Sequence, residues 1–153
     1  MKYAKPGEAH RLEITRSIRY AYHGYLVLAN QMLQPLGLTA TQCEILLYLY
    51  HQPSTPVEVG ALLQFLEISS PSLSNTLKEL RQQGYIRFSR QGDQRKKQVS
   101  LTVKALEIQS ELTAAVQQLE ALYFQAVTDS EYTSMRDTLK KITANIKAQT
   151  GMK

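Results

Sequence analysis

The sequence predicts a mainly α fold with one small β-hairpin. Apolar residues recur at spacings of three and four through most of the chain, the period of a helix face. Between residues 85 and 102 the pattern changes to alternation on either side of Gln91-Gly92-Asp93-Gln94, as two half-buried strands around a turn require. Serine, threonine, proline and glycine fall at the joints, where helix ends need caps and stops.

The first helix is expected over residues 12–33, where Ile14, Ile18, Tyr22, Tyr25, Ala29 and Met32 draw one apolar stripe and Pro35-Leu36-Gly37 ends it. Thr39-Ala40-Thr41-Gln42 is a capping box for a second helix that buries Cys43, Leu46, Leu47 and Tyr50, with Pro53 just beyond its end. Thr55-Pro56-Val57-Glu58 repeats the device, opening a third helix expected to bury Val59, Leu62, Leu63 and Leu66. A tight turn at Glu67-Ile68-Ser69 leads to a fourth helix, capped by Ser70, with Pro71 in its first turn and Gly84 as its stop. The hairpin strands, 85–90 and 98–102, direct Ile86, Phe88, Val99 and Leu101 inward. A long helix over 103–127 aligns Leu112, Val116, Leu119, Leu122 and Ala126. Asp129 or Ser130 caps a last helix carrying Tyr132, Met135, Leu139, Ile142 and Ile146.

Two short helices joined by a tight turn and followed by a hairpin make a winged helix-turn-helix. No repeat or long linker interrupts the chain, so residues 1–153 read as one domain. Within it the winged lobe spans 38–102, and 10–35 plus 103–149 supply a helical dimerisation region. The first and last helices carry apolar stripes that a lobe of this size cannot cover. A second copy would cover them in a two-fold homodimer, whereas a monomer would offer one reading head.

Composition narrows the function classes. No apolar run approaches the roughly 18 residues of a membrane span, and the N-terminal residues lack the apolar core of a secretory signal. The single cysteine, Cys43, cannot form an internal disulfide and falls on an apolar stripe, as a core residue does. A cytoplasmic protein without a membrane partner is expected. The net charge of +5 is concentrated: residues 78–104 carry Lys78, Arg81, Arg87, Arg90, Arg95, Lys96, Lys97 and Lys104 against Glu79 and Asp93. A local excess of this kind attracts a polyanion, and counterion release from DNA then contributes much of the binding free energy.

Shape decides between a DNA surface and an ordinary solvated one. On a helical wheel for 71–83, Leu73, Leu77 and Leu80 share a narrow arc, with Pro71, Asn75, Lys78 and Gln82 opposite and Ser72 and Ser74 flanking. Ser70, Pro71, Ser72, Ser74, Asn75 and Lys78 thus offer donors, acceptors and small apolar contacts to base edges in a major groove. The hairpin holds Arg90, Arg95, Lys96 and Lys97 beside that helix, so helix and wing can straddle a phosphate backbone. An arginine at a wing tip suits the electronegative minor groove, and Asp93, two residues before Arg95, is close enough to orient it.

The run Asp93-Gln94-Arg95-Lys96-Lys97-Gln98-Val99-Ser100-Leu101-Thr102 resembles the Asp-x-Arg…Val-x-Leu-Thr wing signature of the MarR family of bacterial regulators. Leu38-Thr39-Ala40-Thr41-Gln42 is similar to that family's entry to its second helix. Leu66-Glu67-Ile68-Ser69…Leu73-Ser74…Leu77…Leu80…Gly84-Tyr85-Ile86 resembles its helix-turn-helix. The resemblance implies a triangular homodimer with two winged lobes, acting as a repressor, less often an activator, that a small phenolic or otherwise amphipathic ligand releases. It implies Arg95 as the minor-groove arginine, Asp93 as its partner, and Ser70, Ser72, Ser74 and Asn75 at the major groove of a pseudo-palindromic double-stranded operator. Glu67 stands where the family often has glycine, Asn75 where many members have arginine, and Ala105 where glycine is common.

An effector cavity near the first, second and fifth helices of such proteins directs attention to Tyr20, His23 and Tyr48, whose aromatic walls and polar tips suit an aromatic acid. Packing within the core and at the dimer junction is the competing role for these rings. His10, His23 and His51 are scattered, and no nucleophile–base–acid set, phosphate-cradling glycine loop or metal cluster is visible, so neither an enzyme nor a cofactor is expected. The competing function is a winged helix used for protein–protein contacts, with its basic wing meeting an acidic partner.

Overall fold

A computed structural model describes residues 9–52, 55–90 and 96–151, with side chains from residue 13 onward. Helix α1 (Ala9–Leu33) runs into a 3-10 turn over Gln34–Leu36, and Gly37 reverses the chain with φ of 66°, a left-handed conformation that glycine adopts without a Cβ clash. Helix α2 (Ala40–Tyr50) opens on the expected capping box. The Thr39 hydroxyl accepts the Gln42 N–H at 3.3 Å, and Gln42 Oε1 accepts the Thr39 N–H at 3.0 Å.

The next joint differs from the sequence expectation. Val57–Glu58 form a short strand, β1, and α3 (Val59–Leu66) begins three residues later than a Thr55 cap would require. Val57 is buried opposite Val99, so pairing with the strand that follows the wing turn outweighs a first helical turn there. Helix α3 then buries Leu62 fully, with Val59, Leu63 and Leu66 half-buried against the core.

Helix α4 (Ser70–Gln82) is capped one residue earlier than expected: the hydroxyl of Ser69, not Ser70, accepts the Ser72 N–H at 3.3 Å. Pro71 fits the first turn because N–H groups there have no intrahelical acceptor. Gly84, at φ of 81°, ends the helix as expected.

Strands β2 (Ile86–Arg90) and β3 (Lys97–Leu101) are antiparallel, with Ile86 facing Leu101 and Phe88 facing Val99. With β1 they form one sheet in the order β1-β3-β2, a third strand beyond the expected hairpin. The turn itself, including the expected Gln91-Gly92-Asp93-Gln94, lies outside the described residues.

The predicted 103–127 helix is two: α5 (Val103–Glu107), capped by Thr102, and α6 (Gln109–Tyr123), broken at Ile108. Leu112 and Leu119 are buried and Val116 half-buried, but Leu122 is exposed, and Ala126 lies past the helix end with φ of 62°. The last helix, α7 (Asp129–Thr150), is capped by Thr128 rather than Asp129 or Ser130. Thr128 and Glu131 complete a reciprocal capping box, and Asp129 then adds favourable negative charge to the first turn.

One apolar cluster holds the lobe together. Ile45, Leu46 and Leu49 of α2 meet Leu62, Leu73, Leu77, Leu80, Ile86, Val99 and Leu112. Helix α1 packs on α2 and α6, where Tyr25 and Tyr123 meet edge to face at 5.4 Å. Helix α7 buries none of its own residues. Near its C-terminal end Lys147 pairs with Glu67, in the turn between α3 and α4.

Candidate nucleic-acid interface

Leu73, Leu77 and Leu80 fix α4 to the core and turn its other face outward. Ser70, Pro71, Ser72, Ser74, Asn75 and Lys78 are all exposed on that face, as the wheel predicts. Glu79, the acid on this helix, is drawn aside: Gln42 Nε2 donates to its Oε2 at 3.0 Å, tying α4 to α2. The outward surface is left cationic and rich in hydroxyl and amide groups. Ser72 is partly committed, since its oxygen accepts the Ser69 hydroxyl at 2.8 Å.

Glu67 holds the turn before α4 at φ of 52°, in the left-handed region. A side chain there is strained by about 1–2 kcal/mol, which glycine would avoid. Its exposed carboxylate meets Lys147, so the turn that aims α4 is tethered to the last helix.

The wing carries its cations on a sheet braced against α4. Lys97 lies over the Phe88 ring, its Nζ 3.7 Å from the centroid, and the Arg81 guanidinium of α4 approaches the same ring at 5.7 Å. Phe88 therefore joins α4 and the wing, a role that its inward position in the alternation did not disclose. Arg90 faces Lys97 directly across the strands. Opposed like charges destabilise a sheet, so their pairing concentrates positive potential here at a structural cost. Lys96 makes an exposed ion pair with Glu58 of β1 at 3.2 Å, a contact hidden from the sequence because β1 was read as helix. Lys78 and Arg90 make no ion pair among the described residues.

The wing is anchored at its base. The Thr102 hydroxyl donates to the Gly84 carbonyl at 2.6 Å, and Lys104 donates to the Gln83 carbonyl at 2.6 Å while lying over Tyr85. Lys104 thus neutralises the C-terminal end of α4 instead of facing outward. The structure brings Ser70, Pro71, Ser72, Ser74, Asn75, Lys78, Arg90, Lys96 and Lys97 onto α4 and the adjoining wing. Asp93 and Arg95 lie outside the described residues.

The three expected effector residues do not share one depression within a single chain. Tyr20 and His23 line an open surface of α1 with Glu13, Arg16, Ser17 and Arg19. Tyr48 lines a separate groove with Glu44, Leu47, His51, Gln52 and Phe65. Cys43 is buried, and burial followed by the charge of Glu44 pushes its thiol up to about 12, so it carries little thiolate at neutral pH. Among the described residues no group of three or more His, Cys, Asp or Glu could hold a metal, and no helix is long and apolar enough to cross a membrane.

Comparison with known proteins converges on one architecture. The family model of the MarR family matches residues 36–97, which is the winged lobe from the turn before α2 to the start of β3. Among solved structures, the DNA complex of MepR from S. aureus superposes with a TM-score of 0.78 at 22% identity, covering 86% of this chain and 96% of that one. A mutant MarR from E. coli complexed with operator DNA gives 0.78 at 22%, with coverages of 90% and 99%. CouR from Rhodococcus jostii, bound to p-coumaroyl-CoA, gives 0.77 at 20%, with coverages of 89% and 95%. The fold is shared along nearly the whole length of each.

Proposed function

We propose that this chain, whose residues 36–97 match the family model of the MarR family, is a DNA-binding transcription regulator that acts as a cytoplasmic homodimeric repressor. Each subunit reads one half of a pseudo-palindromic operator, and a small aromatic or amphipathic effector releases it. The observation that carries the reading is the outward face of α4 set beside a cationic wing: Ser70, Ser72, Ser74 and Asn75 toward bases, Lys78, Arg90 and Lys97 toward phosphates. Two similar folds were solved with DNA, and a third with an aromatic acyl-CoA, which supports both halves of the proposal.

Dimerisation follows from unburied surface. Ile14, Ile18 and Tyr22 of α1 are exposed, as are Tyr132, Met135, Leu139, Ile142 and Ile146 along α7. Stripes of this length on the first and last helices mark an interface between copies. The domain division is proposed on the same basis, with 38–102 as the reading lobe and 10–35 plus 103–149 as the pairing region. Arg95, oriented by Asp93, is assigned to the minor groove from the wing signature.

Duplex binding followed across salt tests the proposal. Affinity should fall on a log–log plot with a slope near −0.9 per phosphate contact, and Arg95→Ala should weaken operator binding while the dimer persists. Indifference to duplex DNA at low salt, with capture of an acidic protein instead, would favour the protein-contact alternative.

A further inference from the structure

Between α2 and α3, away from the outward face of α4, lies an open groove of about 400 Å3. Its lining is largely apolar and aromatic, from Leu47, Tyr48 and Phe65. The Tyr48 and Phe65 rings stand 4.5 Å apart, tilted by 41°. Glu44, His51 and Gln52 complete it, and among the described residues no lysine or arginine lines it. His51 and Gln52 are turned to their own helix: His51 Nδ1 meets the Leu47 carbonyl at 2.7 Å, and Gln52 Nε2 donates to the Tyr48 carbonyl at 3.2 Å.

Glu44 is the unusual member. It is half-buried, and its carboxylate makes no ion pair or hydrogen bond among the described residues. Desolvation raises its pKa above 4.5. The groups that feel its charge, Tyr25 from α1 and Cys43 from α2, are themselves pushed up to about 12, chiefly by burial, and remain neutral. A carboxylate in partial burial without a counter-charge is unfavourable until a cation reaches it.

We infer that this groove is a ligand seat selective for an aromatic cation, a planar ring carrying an amine or quaternary nitrogen, over an aromatic carboxylate. The ring packs against Tyr48 and Phe65, and the nitrogen is held by the Glu44 carboxylate and by the ring faces. An aromatic acid would bring a second negative charge to a desolvated one, which reverses the preference expected from aromatic walls alone. The regulatory consequence rests on the effector reading above; the binding preference does not.

The test uses two fluorescent probes of one shape and opposite charge, 1-naphthylmethylammonium and 1-naphthoate, titrated into the purified full chain without DNA. The ammonium should bind more tightly by on the order of tenfold, the scale of one charge-assisted contact. Glu44→Gln should abolish that preference, and Phe65→Ala should weaken the ammonium while its exposed position leaves the fold intact. Equal or tighter binding of naphthoate, a preference that survives Glu44→Gln, or no binding of either probe would overturn the inference. Ammonium binding that leaves the hold on DNA unchanged would instead overturn the release reading and leave the groove assignment standing.

Discussion

The winged lobe and the helical arms bury their apolar residues to different degrees within one chain. In the lobe, Leu46, Leu62 and Leu80 are 0% exposed, whereas on the arms Ile14 is 55% and Met135 43% exposed. Both regions display the same helical period, so periodicity announces an apolar face without saying whose face covers it. The lobe meets its apolar partners in its own chain: α2, α3, α4 and the sheet converge on one cluster. Of the arms, α1 and α6 add Ala29, Leu33, Leu112 and Leu119 to that cluster, while the early turns of α1 and the length of α7 keep apolar stripes without a covering layer, as half of a symmetric interface should.

The largest expected effect comes from charging the uncovered stripe. Leu139→Glu with Ile142→Glu should give monomers, readable by light scattering, and lower DNA affinity by about 10²–10⁴-fold as the two heads lose their linkage. A dimer that survives this pair would move the interface elsewhere. Within the lobe, Leu77→Ala should destabilise by about 2–5 kcal/mol in urea unfolding, because a fully packed site leaves a cavity. A similar loss from Leu139→Ala in a dilute monomer would erase the distinction between the regions.

The lobe was more legible in the sequence than its joints. Alternation across 85–90 and 98–102 gave the wing to within a residue and its inward side chains, though not their register, and the leucines of α4 gave the face turned outward. Strand β1 escaped because two residues show no alternation, and Thr55-Pro56 imitates a helix start. Ser69 and Thr128 took caps assigned to their neighbours, since serine, threonine and aspartate in succession offer equivalent oxygens. The break at Ile108 has no glycine or proline to mark it. Phe88, which supports both Arg81 and Lys97, and Glu44, which has no ion pair among the described residues, needed three dimensions: each acquires its meaning from side chains around it that the local pattern does not show.

Smaller perturbations sharpen the contact between the two regions. Glu67→Gly relieves the left-handed strain and removes an exposed ion pair with Lys147 that contributes about 0–1 kcal/mol. A net gain of up to about 1 kcal/mol in urea unfolding is expected. A loss would assign Lys147 a larger share in holding α7 to the helix-turn-helix. A further effect is alkaline. Burial raises the Cys43 thiol from 9.0 to about 12, so between these values the native state retains a proton that the unfolded chain releases. The associated stability is complete below pH 9 and is lost as pH rises toward 12. Cys43→Val should therefore lose less stability than the parent between pH 8 and pH 10.5, measured by urea midpoints; equal losses would place the thiol in water.

Sedimentation equilibrium of the purified chain, alone and with a duplex carrying an operator selected from random sequence, tests the two-headed account most directly. The account predicts a dimer in both cells and one dimer per duplex, with footprinted half-sites about 10 base pairs apart or a multiple of that. Monomers that occupy a single isolated half-site, or fail to sediment with DNA at low ionic strength, would contradict it.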